Sequence, residues 1–163
     1  MAVTLRTHRM GDLGWAIQRH ADLYRDEYHY HPVFEEYVVQ TFAKFTQAFD
    51  PSKDRMWVAE LEGQRVGMVA IHHDPERPGW AKFRWFFVEK TARGHGVGTL
   101  LMTTAMDFAR TAGYDGVWLW TVDDLVEARK QYEKVGFRLV HTEDQPCEWA
   151  PWGREQRWEL RVH

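Results

Sequence analysis

Cysteine is almost missing from this sequence, which has one, Cys147, among 163 residues. One cysteine cannot close an intramolecular disulfide, and this usage is typical of proteins kept in a reducing compartment. The residues around Cys147 offer no catalytic set. We therefore expect a surface or half-buried thiol without a role in chemistry.

Long apolar runs and clusters of positive charge are missing as well. No span of about 18 apolar residues occurs, and the start of the sequence holds no apolar segment of signal length. Lysines and arginines are scattered, and the formal net charge is −3. These absences exclude a general binder of nucleic acid or of anionic membranes. We expect a cytoplasmic protein with no nucleic-acid partner and no membrane partner.

Large apolar side chains are plentiful. Hydrophobic residues make up 44% of the chain, with nine Trp, nine Phe and six Tyr to supply a buried core. No repeat, low-complexity tract or linker interrupts the sequence. We expect one domain over residues 1–163.

Three glycines, Gly94, Gly96 and Gly98, stand between the apolar run 83–88 and a stretch with helical periodicity over 97–112. Glycines at a strand-to-helix junction expose backbone N–H groups, which together with the helix dipole form a cradle for a pyrophosphate. The glycine spacing differs from the dinucleotide fingerprint, and no lysine follows Gly98 as a Walker loop requires. The alternative is a tight turn that only lets the helix pack closely on the sheet.

Two motifs together identify a family. Arg93, Gly96 and Gly98 occupy the marked positions of a pattern that resembles motif A of the GNAT acyltransferases. The stretch 128–139 resembles the second signature of that family, Ala-x-x-x-Tyr-x-x-x-Gly-Phe, with its tyrosine at Tyr132. The sequence is also similar to the acetyltransferase domain that some bacterial proteins carry fused to a MarR-type winged helix.

The resemblance implies an α/β (α+β) GNAT fold. Its mixed central sheet has about seven strands, with helices on both faces, in the order β-α-α-β-β-β-α-β-α-β-β. The residue patterns fit this order: a hairpin turn at 62–63 joins strands 55–61 and 65–73, and a further strand covers 80–88. A helix over 124–135 has Asp123 and Asp124 as expected caps.

The resemblance also implies acetyl-CoA as cosubstrate, and we expect no metal, since the histidine pairs lack partners at ligand spacing. A backbone N–H near Val88 would polarise the acyl carbonyl, at a point where relatives carry a strand bulge. Leu125 departs from the family, whose members often have an asparagine there against the pantetheine arm. The expected cofactor-binding residues are Phe87, Val88, Arg93, Gly94, His95, Gly96, Val97, Gly98 and Thr99.

Acetyl transfer from acetyl-CoA to a primary amine needs a proton for the departing thiolate. The resemblance assigns this role to Tyr132, whereas spacing alone favours a core tyrosine on an apolar helix face. For the base that deprotonates the amine we select Glu27, on the same face as Tyr24 and Tyr28. His29, His72, His73 or a chain of waters are alternatives.

The acceptor is expected to be a small-molecule or peptide amine, and a homodimer is left open. Its pocket would be lined by the first two helices and the loop 144–154. Two other functions remain open: a non-catalytic acyl-CoA-binding sensor or interaction module of the same fold, and a nucleotide-binding α/β domain. The aromatic candidates for the pocket are Tyr24, Tyr28, Tyr30, Trp149 and Trp152.

Overall fold

The computed structural model describes residues 2–163, and their secondary structure follows the expected element order. A 3-10 turn at Lys90–Ala92 stands between the fourth strand and the third helix. The elements are β1 (Val3–Thr7), α1 (Asp12–Asp26), α2 (Val33–Gln47), β2 (Arg55–Leu61), β3 (Gln64–His73), β4 (Trp80–Val88), α3 (Val97–Thr111), β5 (Gly116–Val122), α4 (Val126–Val135), β6 (Arg138–Thr142) and β7 (Glu155–Arg161).

The strands form one mixed sheet in the order β1-β2-β3-β4-β5-β7-β6, which confirms the predicted fold class. The chain has two compact units. The first comprises the chain up to Leu13, Phe49–Val117 and Arg161–His163. The second comprises Gly14–Ala48 and Trp118–Leu160.

Antiparallel pairing runs from β1 to β4 in the first unit. The predicted hairpin turn between β2 and β3 is present, with φ of 52° at Glu62 and 74° at Gly63. Two residues with positive φ are the geometry that a tight hairpin prefers, because it matches the twist of the strands. An irregularity between Ala59 and Glu60 then shifts the register of the pair.

Asp12 begins α1 and lies at the centre of a buried ion cluster in the first unit. Its carboxylate accepts two hydrogen bonds from the Arg6 guanidinium, at 2.7 and 3.0 Å, and one from Arg65 at 3.1 Å. The Arg9 backbone N–H donates to it as well. These donors outweigh the desolvation of the carboxylate and lower the pKa of Asp12 to about 2.

Helix α3 packs on β3 at Gly67. A Cβ at this glycine would lie 2.9 Å from the Phe87 carbonyl oxygen and 3.2 Å from Leu101 Cδ1, so only glycine fits. The periodicity of the sequence predicts a buried stripe on α3 at positions 97, 100, 101, 104, 105, 108, 109 and 112. The observed buried face differs in part from it, since Leu100 is exposed while Met102 and Met106 are buried. Positions 97, 101, 105 and 109 belong to both the predicted and the observed buried face, and the residues on either side of them can complete that face. In the structure the two methionines do so and fill the core.

The second unit contains the pair of helices α1 and α2 and the antiparallel pair β6–β7. His20 on α1 is buried and meets the Phe42 ring of α2 edge-on, with ring centroids 6.0 Å apart. Its Nδ1 lies 2.7 Å from the Ala16 carbonyl oxygen, so Nδ1 carries the proton. Burial lowers the pKa of His20 to about 4.

Two expectations about single residues were wrong. Asp123 and Asp124 do not cap α4, because Asp123 accepts the Arg154 backbone N–H and Asp124 accepts bonds from Tyr30 and Trp152. Cys147 is buried, with 5% of its surface exposed, and burial raises the pKa of its thiol to about 11. Among the helices of residues 2–163, none combines the length and apolar character needed to cross a bilayer.

We predict that His20 makes the protein sensitive to acid between about pH 6.5 and pH 4. Its pKa is about 4 when folded and 6.5 when unfolded, so the unfolded chain takes up the proton first as the pH falls. The loss in unfolding free energy is on the order of 3 kcal/mol across this window, and nothing is lost above it. Denaturant unfolding at half-unit pH steps measures the slope.

His20→Asn is the matched variant, because its amide can still donate to the Ala16 carbonyl oxygen while nothing titrates. Burial shifts the pKa values of His8 and His72 downward too, so part of the slope remains. The variant should lower the number of protons that the chain takes up on unfolding by about one. An unchanged slope would show that His20 does not control the transition.

Candidate active site

Strand β4 carries an extra residue near its end. Met68 pairs with Phe87 and Ala70 pairs with Arg84, so Val69 alone faces the two residues between them on β4. One of these is Trp85, whose φ of 55° lies in the left-handed region that bulky side chains avoid. The expected bulge is therefore present, slightly before Val88, and it stores backbone strain in a strand that leads to the predicted site.

The bulge sets the direction in which the backbone of Val88 points. Glu89 N–H donates to the Val66 carbonyl oxygen at 2.7 Å, so this opposed pair is hydrogen-bonded. Hydrogen-bonded and non-hydrogen-bonded pairs alternate along an antiparallel ladder. Gly67 and Val88, the next pair, are therefore a non-hydrogen-bonded pair. The N–H and C=O of Val88 consequently point away from β3.

The glycine turn, residues 93–96, leads from β4 into α3. Gly94 and Gly96 have φ of 86° and 77°, so both require the left-handed conformation that glycine adopts at little cost. Residues 93–96 are exposed, while Val97 and Gly98 are buried at the first turn of the helix. Helix α3 has 15 residues and no acidic side chain in its first turn. Its N-terminal N–H groups and dipole therefore favour an anion.

The Arg93 side chain is exposed and its Nε donates to the Val88 carbonyl oxygen at 3.2 Å. This bond ties the glycine turn to the end of β4.

Tyr132 lies in the second unit, on α4, with 6% of its surface exposed. Helix α4 ends at Gly136 with φ of 114°, and the N–H groups of Gly136 and Phe137 both bond the Tyr132 carbonyl oxygen. This C-terminal cap folds Phe137 back onto Tyr132, with ring centroids 5.8 Å apart. The spacing of the second motif thus has a structural cause. Burial, together with the nearby Tyr24, raises the pKa of Tyr132 and keeps its phenol protonated.

The predicted aromatic residues of the second unit meet in one group, which we call the aromatic cluster. Tyr24 stacks on Tyr28 and on Tyr30, with centroids 5.4 and 5.2 Å apart. The cluster consists of Tyr24, Tyr28, Tyr30, Phe34, Tyr37, Trp149 and Trp152.

Hydrogen bonds hold the loop 144–154 against the segment between α1 and α2. Trp149 accepts the His31 backbone N–H through its carbonyl oxygen at 2.8 Å. Asp124 joins two members of the cluster, accepting from the Tyr30 hydroxyl at 3.0 Å and from the Trp152 indole N–H at 3.1 Å. Burial and the Asp124 charge raise the pKa of Tyr30.

The candidate bases fall in both units. Glu27 is half-buried in the turn that continues α1, where its N–H bonds the Leu23 carbonyl oxygen. His29 is exposed, with φ of 56°. His72 and His73 belong to the first unit, and their ring nitrogens lie within 4.8 Å of the Asp54 carboxylate.

Sequence analysis did not identify two residues near the end of the β3–β4 pair, Gly67 and Trp85. A glycine inside a strand is a signal for close backbone approach, and Gly67 could have been found in that way. Nothing in the residue type of Trp85 announces a left-handed conformation.

Comparison with known families gives a match to the acetyltransferase (GNAT) family over residues 17–137. Among curated proteins, an N-acetylaspartate synthetase of Danio rerio is 37% identical over 95 residues, which cover 58% of this chain and 33% of that protein. A probable N-acetyltransferase camello of Xenopus tropicalis is 33% identical over 90 residues, or 55% of this chain and 41% of that one. The chain thus spans well under half the length of these relatives.

Solved structures share the fold at low identity. A GNAT-family acetyltransferase from Staphylococcus aureus Mu50 superposes with a TM-score of 0.77 at 16% identity, covering 99% of this chain and 100% of that one. A putative streptothricin acetyltransferase from Bacillus anthracis, solved in complex with acetyl coenzyme A, has a TM-score of 0.59 at 22% identity and covers 72% and 67%.

Proposed function

Since the chain belongs to the acetyltransferase (GNAT) family, we propose that it moves an acetyl group from acetyl-CoA to a primary amine by direct attack in a ternary complex. The observation that carries this proposal is the glycine turn before α3. It combines two left-handed glycines with the N-terminus of a 15-residue helix. The diphosphate of a coenzyme A is the anion that such a backbone cradle suits.

The backbone of the first unit would supply most of the contacts to acetyl-CoA, the acetyl donor. The cradle, residues 93–99, would bind the diphosphate, with the Arg93 guanidinium as an additional donor. The Val88 N–H, which points away from β3, would donate to the thioester carbonyl oxygen. That bond strengthens as the oxygen gains negative charge in the tetrahedral intermediate. Phe87 precedes it and fixes the end of the strand.

Tyr132 would serve the departing thiolate, a role that rests on its match to the second family motif. Its raised pKa keeps the hydroxyl protonated, so it donates a hydrogen bond as the C–S bond breaks. A thiolate in equally dry surroundings also has a raised pKa, which makes transfer of the phenol proton feasible.

The acceptor side would lie in the second unit. A cationic amine gains from contact with the faces of aromatic rings and from a nearby carboxylate. The aromatic cluster supplies the rings, and Glu27 would attract the ammonium group and accept its proton, directly or through water. The acceptor is accordingly a small-molecule or peptide amine that is positively charged before it reacts.

A non-catalytic acyl-CoA sensor is the second candidate. Leu125 favours it, because relatives often place an asparagine there to hold the pantetheine arm, and β4 has no acidic residue to act as a base. The resemblance to acetyltransferase domains fused to MarR-type winged helices stays a prediction, as does a cytoplasmic location.

We predict that acetyl-CoA raises the melting temperature of the protein and that Gly96→Val abolishes the rise. A ligand that binds only the folded state stabilises it by mass action, and a valine side chain would fill the cradle. Gly98→Val should act in the same way.

Gly113→Val is the control for backbone strain, because Gly113 has φ of 85°, and a Cβ would meet nothing within 4 Å there or at Gly96. Both variants should lose about 1–2 kcal/mol of stability, but the Gly113 variant should still bind acetyl-CoA. Parent-like binding by Gly96→Val would refute the cradle.

We predict that the protein releases free CoA thiol from acetyl-CoA when cationic amines are added, and that Tyr132→Phe slows this turnover. Loss of a positioned proton donor should lower kcat about 10²–10⁴-fold and leave acetyl-CoA affinity nearly unchanged. A thiol-release assay over an amine panel measures both.

Tyr114→Phe is the control, because it removes another buried hydroxyl, one that donates to the Lys53 carbonyl oxygen at 2.6 Å. Its kcat should match that of the parent. Acetyl-CoA binding without thiol release for any amine would instead support the sensor. An unchanged kcat in Tyr132→Phe would make Tyr132 a core residue.

We predict that Glu27→Gln raises the KM for the amine, or lowers activity at neutral pH with partial recovery at alkaline pH. Free amine is more abundant at high pH, so the reaction then needs the carboxylate less. Rate profiles from pH 6 to 9 measure this, at constant acetyl-CoA affinity. Glu35→Gln, an exposed position at the start of α2, should behave like the parent. A parent-like profile for Glu27→Gln would remove Glu27 from the site.

A further inference from the structure

Three ligand-type side chains of the first unit converge beside the hairpin β2–β3. Asp54, His72 and His73 each offer one ligand atom, and these atoms lie within 4.8 Å of one another. Asp54 and His72 are buried, while 23% of the His73 side chain is exposed. Within residues 2–163 this is the group that has the composition of a metal site.

The register of the hairpin explains why these residues meet. Arg55 pairs with Ile71, so the preceding residue, Asp54, stands across from His72. The shift at Ala59 and Glu60 is required for this, because an unshifted ladder would place Asp54 opposite Ile71. A bulge in the hairpin thus creates the juxtaposition.

Backbone hydrogen bonds hold the Asp54 carboxylate in a fixed orientation. Its Oδ1 accepts the His73 N–H at 2.7 Å, and its Oδ2 accepts the Asp50 N–H at 2.9 Å. Each carboxylate oxygen keeps a second lone pair that can bind an ion. His73 Nδ1 lies 2.9 Å from Oδ1 and 3.0 Å from Oδ2.

We propose that Asp54, His72 and His73 form a binding site for a divalent transition-metal ion of the zinc, cobalt and nickel class. Two imidazoles with one carboxylate suit these ions and do not suit magnesium or calcium. Tetrahedral ligand atoms at about 2.1 Å from an ion are about 3.4 Å apart, so His73 Nδ1 and the Asp54 oxygens, now at 2.9 and 3.0 Å, need to separate by only about 0.5 Å to hold one. Water completes the coordination and enters past His73.

Binding changes the proton arrangement of His73. Nδ1 now carries the proton that it donates to Asp54. When Nδ1 binds the ion, that proton leaves it, and the neutral ring carries its proton on Nε2. The hydrogen bond between His73 and Asp54 is replaced by two bonds to the metal.

The charges around the site act in both directions. Asp54 and Asp50 attract a cation, and Asp50 is close enough to interact with His73. Lys82 and Arg84 of β4 face His72 and repel a cation. The two effects oppose each other, so affinity has to come from the ligand atoms and not from the general field.

The experiment uses the whole chain without any histidine tag. Zn²⁺ at about 100 times its Kd should raise the melting temperature by about 5–10 °C, and EDTA should reverse the rise. Co²⁺ should bind with a stoichiometry of one and give a visible absorption band. Mg²⁺ should do neither. These readouts are independent of acetyl transfer, so they can succeed or fail regardless of the proposed function.

His72→Gln and His73→Gln should weaken Co²⁺ and Zn²⁺ binding at least about tenfold. The control is His141→Gln, which removes an exposed histidine that lies 3.5 Å from Glu143 and should bind metal like the parent. The Co²⁺ absorption band measures binding at the site directly, so it can be used even if His73→Gln destabilises the chain around the site. Failure of the parent to bind one equivalent, or parent-like binding by His72→Gln, would overturn the proposal.

Discussion

The extra residue in β4 is the constraint on which the donor side of the proposed reaction depends. An uninterrupted β4 would alternate with β3 to its end, and Val88 would then exchange its hydrogen bonds with that strand. The bulge reverses the phase, so that Val88 points away from β3 while Glu89 bonds Val66. The strained φ of Trp85 accompanies this geometry. The surrounding strands must supply the stability that holds a bulky residue in that conformation.

Close packing and the proposed anion cradle have the same origin in the first unit. Gly67 lets α3 approach β3 closely, and the left-handed Gly94 and Gly96 let the chain turn into that helix. The tight-turn and cradle interpretations of the glycines are therefore compatible, because a helix that begins abruptly at the sheet also presents its N–H groups there. A single backbone feature also has two effects at the end of α4, where the cap at Gly136 both ends the helix and packs Phe137 on Tyr132.

The family resemblance implied the element order. Local patterns predicted the turn at Glu62–Gly63 and the glycine turn, because each of these turns depends on a few neighbouring residues. They did not reveal features that depend on pairing between distant segments. The β4 bulge belongs to this group, and so does the shift near Ala59 that brings Asp54 to His72. Asp123 and Asp124 had the correct residue type for helix caps. Partners outside the helix, among them Arg154 and Tyr30, bond them instead.

The two sides of the proposed reaction also differ in how strongly sequence constrains them. In the proposed cradle backbone N–H groups would do the binding, so most side chains there could vary as long as the left-handed glycines remain. In the proposed acceptor site the aromatic cluster would bind through side chains, so each ring or carboxylate that changes would alter what can be bound. Acceptor choice would then depend on residues of the second unit, such as Glu27 and Tyr24, that no backbone rule fixes.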